Sequence, residues 1–393
     1  MRRLYTLLYM ASLSMASAIA QNATGFVGNG YYRIRNLGTE RYIYVTDNKD
    51  YTDELHDAED FQAIQLWRDL SKAVSEPATV LYMKKGGTNL FDLEAQGTGV
   101  HQLTGYYVHV VDKGNGVYEV YAKKGSVQKN LSDNEIGNYE QGVIGTNGTG
   151  KYMRWVVDQI KTNHATNYFG IKPTVSLSGK YYHPFYAAFP FRTVSPGMHV
   201  YYASKISGNV VKFKEISGDI PASTPVIIEC ASENPADNRL ELLTASPASI
   251  QDNKLAGVYF CNGKRPVESV DAYKKFDATT MRLLHVADNK LIMSSNADER
   301  LSQIKVTDPA THKKVQALCV PANTCYLQAT SSTPDLLTVR FEGAGIDEIL
   351  AENKEDAIEG VYTLNGTQVR TTNDVKGLPA GVYVVGGVKV VTK

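Results

Sequence analysis

The sequence predicts an all-β chain assembled from several small units. Apolar stretches alternate almost everywhere with period two, and Gly, Asn-Gly or Asp-Asn pairs interrupt them at short intervals. Tyr and Gly are also abundant, at 25 and 32 of 393 residues. Tyrosine favours strands and amphipathic surfaces, and glycine favours the tight turns between strands. Helical periodicity is confined to an acidic segment at residues 53–60 and a charged stretch at residues 346–359.

Residues 1–20 have the pattern of a signal peptide. Arg2 and Arg3 supply a positive start, residues 4–16 an uncharged apolar stretch, and Ala18-Ile19-Ala20 a small-x-small cleavage signal. Cleavage between Ala20 and Gln21 is therefore expected. The apolar run is shorter than the roughly 20 residues that span a bilayer. No Cys adjoins the cleavage point, and the mature chain has no stretch apolar enough for a transmembrane helix. The expected location is extracytoplasmic: secreted, on the outer surface, or in the periplasm. Loss of Arg2 and Arg3 takes the 41 basic residues to 39 against 41 acidic ones, a net charge of −2. With no basic run either, nucleic acid is not an expected partner.

Residues 26–160 form the first expected unit. Tyr31-Tyr32-Arg33-Ile34-Arg35-Asn36, Thr79-Val80-Leu81-Tyr82-Met83-Lys84-Lys85 and Val117-Tyr118-Glu119-Val120-Tyr121-Ala122-Lys123-Lys124 share an alternating pattern with a polar or basic end. Their starts lie roughly 40–50 residues apart, a repeat-like spacing. Each is followed by a second strand-like segment, and Tyr152-Met153-Arg154-Trp155-Val156-Val157 closes the series. This three-fold pattern resembles a β-trefoil. Gln65-Leu66-Trp67 is similar to the Gln-x-Trp element of ricin-type lectin repeats, although it occurs once.

Residues 166–335 contain an internal echo. Ile220-Pro221-Ala222-Ser223-Thr224 recurs as Val320-Pro321-Ala322-Asn323-Thr324. Each follows hairpin-like sequence, turning at Gly208-Asn209 and at Asp288-Asn289. Proline cannot donate to a sheet, so each Pro-Ala-x-Thr is expected to be a loop leading into a strand. Two related, sandwich-like β units packed face to face would account for the echo. The four cysteines permit two disulfides in any of three connectivities, with Cys319 and Cys325 the closest pair in sequence.

Residues 346–393 begin with a charged connector and end in two hairpin patterns. The first is Val361-Tyr362-Thr363-Leu364-Asn365-Gly366-Thr367-Gln368-Val369; the second runs from Leu378-Pro379-Ala380-Gly381-Val382-Tyr383-Val384-Val385 through Gly386-Gly387. This tail resembles the C-terminal region of exported Bacteroidales proteins. There, longer versions act as sorting signals for type IX secretion and surface attachment. The resemblance implies the outer surface or the medium as the destination, though this tail is only about 50 residues.

No nucleophile elbow, His-Glu-x-x-His site or phosphate-binding glycine loop occurs. No cofactor or metal site is therefore implied. His101 and His109 are the closest histidines, and residues 47–60 are acidic without the glycine of an EF-hand loop. The candidate ligand-binding residues are aromatic, because aromatic faces stack on the C–H faces of sugars. They are Tyr42, Tyr44, Tyr106 and Tyr107 in the first unit, and Tyr181, Tyr182 and Tyr186, close to Phe189 and Phe191, in the second. The sequence thus points to a non-catalytic binding or adhesion protein whose partner is a glycan or a surface protein. A structural component of the cell surface and a secreted glycan-active hydrolase are the alternatives.

Overall fold

The computed structural model describes residues 25–45, 64–67, 70–96, 108–124, 126–134, 144–145, 148–259, 273–308, 310–342, 360–385 and 388–392. The signal peptide with its Ala20–Gln21 junction, the acidic residues 47–60, His101, Tyr106, Tyr107, Cys261 and the connector 346–359 lie outside the described residues. The chain is nearly all β, as the alternation predicts.

The first strands are β1 (Gly30–Asn36), β2 (Tyr42–Val45), β3 (Ile64–Trp67), β4 (Leu81–Gly87), β5 (Leu90–Ala95), β6 (Val108–Asp112), β7 (Val117–Lys124), β8 (Val127–Asn130), β9 (Ser132–Asp133), β10 (Ile144–Gly145) and β11 (Arg154–Gln159). Six of them close on themselves. β1 pairs with β4, β4 with β5, β5 with β6, β6 with β7, β7 with β11, and β11 returns to β1, always antiparallel. A closed sheet leaves no edge to protect. The pairs β2–β3 and β9–β10 are inserted between barrel strands, which is the trefoil arrangement. Alternate residues fill the barrel, among them Tyr32, Ile34, Met83, Leu93, Val120 and Trp155. Trp155 satisfies its indole N–H by donating to the Leu131 carbonyl at 2.9 Å.

The repeat differs from the even spacing expected of it. In the barrel order, the strands that open the three units are β1, β5 and β7, beginning at Gly30, Leu90 and Val117. The Thr79–Lys85 segment, expected to open the second unit, leads from the turn Pro77–Thr79 into β4, which closes the first.

β1 is buried along its whole length. Tyr32 and Ile34 point into the barrel, while Tyr31 and Arg33 meet the following region. The Tyr31 ring lies 5.9 Å from Phe189 and its hydroxyl donates to Leu243 O at 3.0 Å. Arg33 donates to Thr79 Oγ1 at 3.0 Å, Asn167 Oδ1 at 2.8 Å and Tyr168 O at 2.7 Å. The outer wall of the barrel is thereby one side of a second core, which includes Phe169, Phe185, Phe189, Phe191 and Ile228.

That region is built on a ten-stranded sheet. Its order is Val175–Leu177, Lys180–Phe185, Val226–Cys230, His199–Ser207, Val210–Glu215, Leu336–Glu342, Lys290–Ser294, Met281–Ala287, Thr324–Gln328 and Leu255–Val258. Either side of Leu336–Glu342 the order is mirrored: a hairpin, then the strand after a Pro-Ala-x-Thr loop, then Lys180–Phe185 in one half and Leu255–Val258 in the other, with Val175–Leu177 an additional edge strand of the first half. Leu336–Glu342 runs parallel to Val210–Glu215 and antiparallel to Lys290–Ser294, so it joins the halves. The sheet curls until its halves share a core of Tyr201, Phe213, Ile227, Leu284, Met293 and Leu327. A three-stranded sheet packs outside each half.

Both loops place their third residue in the left-handed region, Ser223 at φ 57° and Asn323 at φ 55°. Both grip the segment after Lys180–Phe185. Ser223 N donates to Ala187 O at 2.9 Å, and Asn323 O accepts from Tyr186 N at 3.0 Å. Asn323 Nδ2 also donates to Gln96 Oε1 at 2.7 Å, tying this point to the barrel.

The Cys319–Cys325 bridge that the sequence permits does not form in the structure. Cys319 packs with Ile304 and Ala317, whereas Cys325 lies in the core between the sheet halves. Cys325 is a free thiol, its S–H directed at Val226 O at 3.3 Å. The Pro321-Ala322-Asn323 turn sends the two side chains into different cores.

The last strands form a four-stranded sheet in the order Gln368–Arg370, Val361–Thr363, Gly381–Val385, Val388–Thr392. The first hairpin turns at Asn365-Gly366, with Gly366 at φ 82°.

Candidate binding face

The hairpin β2–β3 is set by a tight reversal after β1. Asn36 Oδ1 accepts from Gly38 N at 2.8 Å and Thr39 N at 3.1 Å, and Glu40 takes φ 63°. The chain then re-enters as β2 with its side chains in strict alternation. Arg41 and Ile43 are fully buried, and Tyr42 and Tyr44 are half-buried on the other face. Arg41 Nη1 reaches both Asp133 oxygens at 3.0 Å, and Thr39 Oγ1 donates to the same carboxylate. Asp133 belongs to β9, so this ion pair pins the first inserted hairpin to the second.

Tyr42 lies opposite Arg35 of β1 and, across the hairpin backbone, opposite Trp67 of β3. β2 also packs on the turn Pro77–Thr79. Burial raises the Tyr42 phenol above its ordinary value, and the Arg35 and Arg33 guanidiniums oppose that rise. The phenol is therefore a neutral donor beside a cation. Arg35 approaches Glu40 at 3.7 Å. A half-buried aromatic flanked by a guanidinium and a carboxylate can stack on a sugar face and reach its hydroxyls.

Tyr181, Tyr182 and Tyr186 occupy a different sheet from Tyr42 and Tyr44, and they diverge among themselves. Tyr182 is buried between the sheet halves, stacked on Phe341 at 5.8 Å, and burial pushes its phenol up to about 12. Tyr181 points the other way, and its hydroxyl donates to Glu233 Oε1 at 3.2 Å. Tyr186 packs against Tyr259 with centroids 4.3 Å apart and the rings tilted by 38°, and the Tyr259 hydroxyl is hydrogen-bonded to Ser223 Oγ. The Tyr186 ring lies flat on Gly257, where a Cβ would enter the ring. Phe189 and Phe191 are core residues. The dense aromatic run thus serves packing on two faces of one strand, with Tyr186 at its end.

Sequence reasoning did not single out Gly257, Tyr259 or Ser223, which complete the Tyr186 cluster. The signal available for Ser223 was the Pro-Ala-x-Thr echo itself. His109 stacks on Tyr121 at 4.6 Å across β6 and β7. Among the described residues, no group of three or more His, Cys, Asp or Glu side chains is placed to hold a metal ion.

Neither a family model nor a curated protein matches this chain. Among solved structures, the designed three-fold symmetric protein ThreeFoil is 14% identical over 33% of this chain and 99% of its own, with a TM-score of 0.24. The BEL β-trefoil is 11% identical over 35% of this chain and 97% of its own, at 0.24. A mosquitocidal holotoxin is 12% identical over 92% of this chain and 39% of its own, at 0.25. Scores of this size carry no functional weight, and the trefoil arrangement rests on the strand pairings described above.

Proposed function

We propose that the protein is an exported, non-catalytic binding protein that engages a glycan or a surface protein through its barrel. The observation that carries this is the β2 face. A buried ion pair anchors the hairpin, and Tyr42 and Tyr44 stand half-buried on its opposite side. Anchoring matters because a rigid aromatic surface loses little conformational freedom when it binds. Export through residues 1–20 is part of the proposal, and N-terminal sequencing of the secreted protein should begin at Gln21. A glycan array on the mature protein should show reproducible binding. Tyr42→Ala with Tyr44→Ala should weaken it by about tenfold or more, a loss of ~1.4 kcal/mol. A blank array would remove the glycan form of the proposal.

A second reading, a structural component of the cell surface, is favoured by the terminal sheet. Val382 and Val391 lie directly opposite each other and are 41% and 68% exposed. In this reading the tail serves surface attachment. Deleting residues 360–393 should then release the protein from the cell fraction into the medium, and unchanged fractionation would count against it.

A further inference from the structure

Beside the second half of the ten-stranded sheet lies a cleft of about 850 Å³, far from the tyrosines of β2 in sequence and on a different sheet. Its apolar lining comes from Ile206, Met281, Ala329 and Pro334. Thr280, Thr330, Ser332, Thr333, Tyr326 and Gln328 also line it; the Thr280 hydroxyl donates to Asp277 Oδ2, and the Thr330 hydroxyl is hydrogen-bonded to those of Ser332 and Thr333. Two cations, Lys254 and Lys274, complete the lining.

A buried side chain helps to hold the rim. Arg282, 2% exposed, donates from Nε to Pro334 O at 2.8 Å and from Nη2 to Thr333 O at 3.0 Å. From Nη1 it donates to Ala278 O at 2.5 Å and Met281 O at 3.0 Å. One guanidinium therefore binds both walls, residues 278–281 and residues 333–334, to each other. Asp277 accepts from Thr279 N at 2.9 Å, Thr279 Oγ1 at 2.7 Å and Thr280 Oγ1 at 3.0 Å, and these bonds, with a smaller contribution from the Lys274 charge, hold its carboxyl below its ordinary value. No ion pair within 4.0 Å engages Lys254 or Lys274 among the described residues.

We propose that this cleft is a binding site for a carboxylate-bearing oligosaccharide, of the uronic acid class. The chemistry of the lining matches each part of such a ligand. Its apolar residues would meet the C–H face of a pyranose ring, its hydroxyl-bearing residues would exchange hydrogen bonds with ring hydroxyls, and the lysines would pair with the carboxylate. A neutral sugar makes no use of the two lysines, and a bare anion makes no use of the apolar and hydroxyl-bearing residues. The pre-pinned rim lowers the ordering cost of binding. The site stands independently of the barrel proposal.

The test is calorimetric titration of the full mature chain with trigalacturonate, maltotriose and sulfate. Saturable binding of trigalacturonate is expected, with maltotriose and sulfate each at least about tenfold weaker. Lys254→Ala with Lys274→Ala should weaken trigalacturonate by about tenfold or more. Lys313→Ala with Lys314→Ala, an equal charge change at exposed positions outside the cleft, should leave it unchanged. Absence of saturable binding, equal binding of maltotriose or sulfate, or an equal loss in the Lys313/Lys314 variant would overturn the proposal. A loss that follows Tyr42→Ala and Tyr44→Ala instead of the cleft lysines would also overturn it, while supporting the barrel as the glycan site.

Discussion

Removing Asp133 tests whether the barrel's inserted hairpins depend on one another. Arg41 and Asp133 are both 0% exposed, with Arg41 Nη1 at 3.0 Å from the carboxylate. At an effective dielectric near 20, two unit charges at that distance attract by about 5 kcal/mol. Taking both charges out of water costs several kcal/mol per ion, so the pair as a whole contributes little net stability. The single variants are different, because each strands a buried charge. Asp133→Leu and Arg41→Met should each cost about 3–5 kcal/mol, and the double variant should cost less than either alone. Urea unfolding followed by fluorescence reads this directly, since Trp155 sits inside the same barrel. If Asp133→Leu costs under about 1 kcal/mol, or if the two losses simply add, the hairpins are not pinned by this pair and the rigidity argued for the β2 face fails.

Three further outcomes follow from the geometry. Gly257→Ala drives a methyl into the Tyr186 ring and should cost about 1–3 kcal/mol in a denaturant melt, with Tyr186→Ala in the same chain removing most of the added clash. Burial raises the Glu76 carboxyl from 4.5 to about 7, so the folded chain retains a proton that the unfolded chain releases between those values. Its contribution is fully present below pH ~4.5 and is lost as pH rises through ~7, by about 1–3 kcal/mol in all. Glu76→Gln keeps an acceptor for Ala78 N and should flatten that part of the stability profile between pH 5 and pH 8; identical profiles would refute the assignment. Burial pushes the thiols of Cys230 and Cys325 up to about 12, so both should resist alkylation at pH 8 in the native state and react after unfolding, as read by peptide mass mapping.

Period-two alternation was enough to locate most strands, because inward residues such as Tyr32, Ile34, Leu81 and Met83 must fill a core whichever sheet they join. The hairpins turn at Gly208-Asn209 and Asp288-Asn289, where short residues tolerate positive φ, and that chemistry is local. Partners distant in the chain were not legible. Arg33 and Arg35 alternate with the apolar residues of β1, yet both are buried: Arg33 meets Asn167 and Tyr168, which arrive more than a hundred residues later. The same distance effect separates Tyr182 from Tyr181. Adjacent residues on a strand face opposite ways, and only the sheet that later covers one face decides which tyrosine is lost to packing. Cys319 and Cys325 were close in sequence, but a turn between them outweighed that proximity.

The strand Leu336–Glu342 sets an order of events for the region it joins. Val210–Glu215 pairs with it across more than a hundred intervening residues, and Lys290–Ser294 waits for the same partner. Until residue 342 is available, each half presents an unsatisfied row of backbone donors and acceptors at the edge where the other half belongs. Contacts this distant in sequence form late and slowly. Folding of the region is therefore a commitment made at its last strand. A chain halted before residue 336 leaves two open, mutually similar edges, and these can pair between molecules instead of within one.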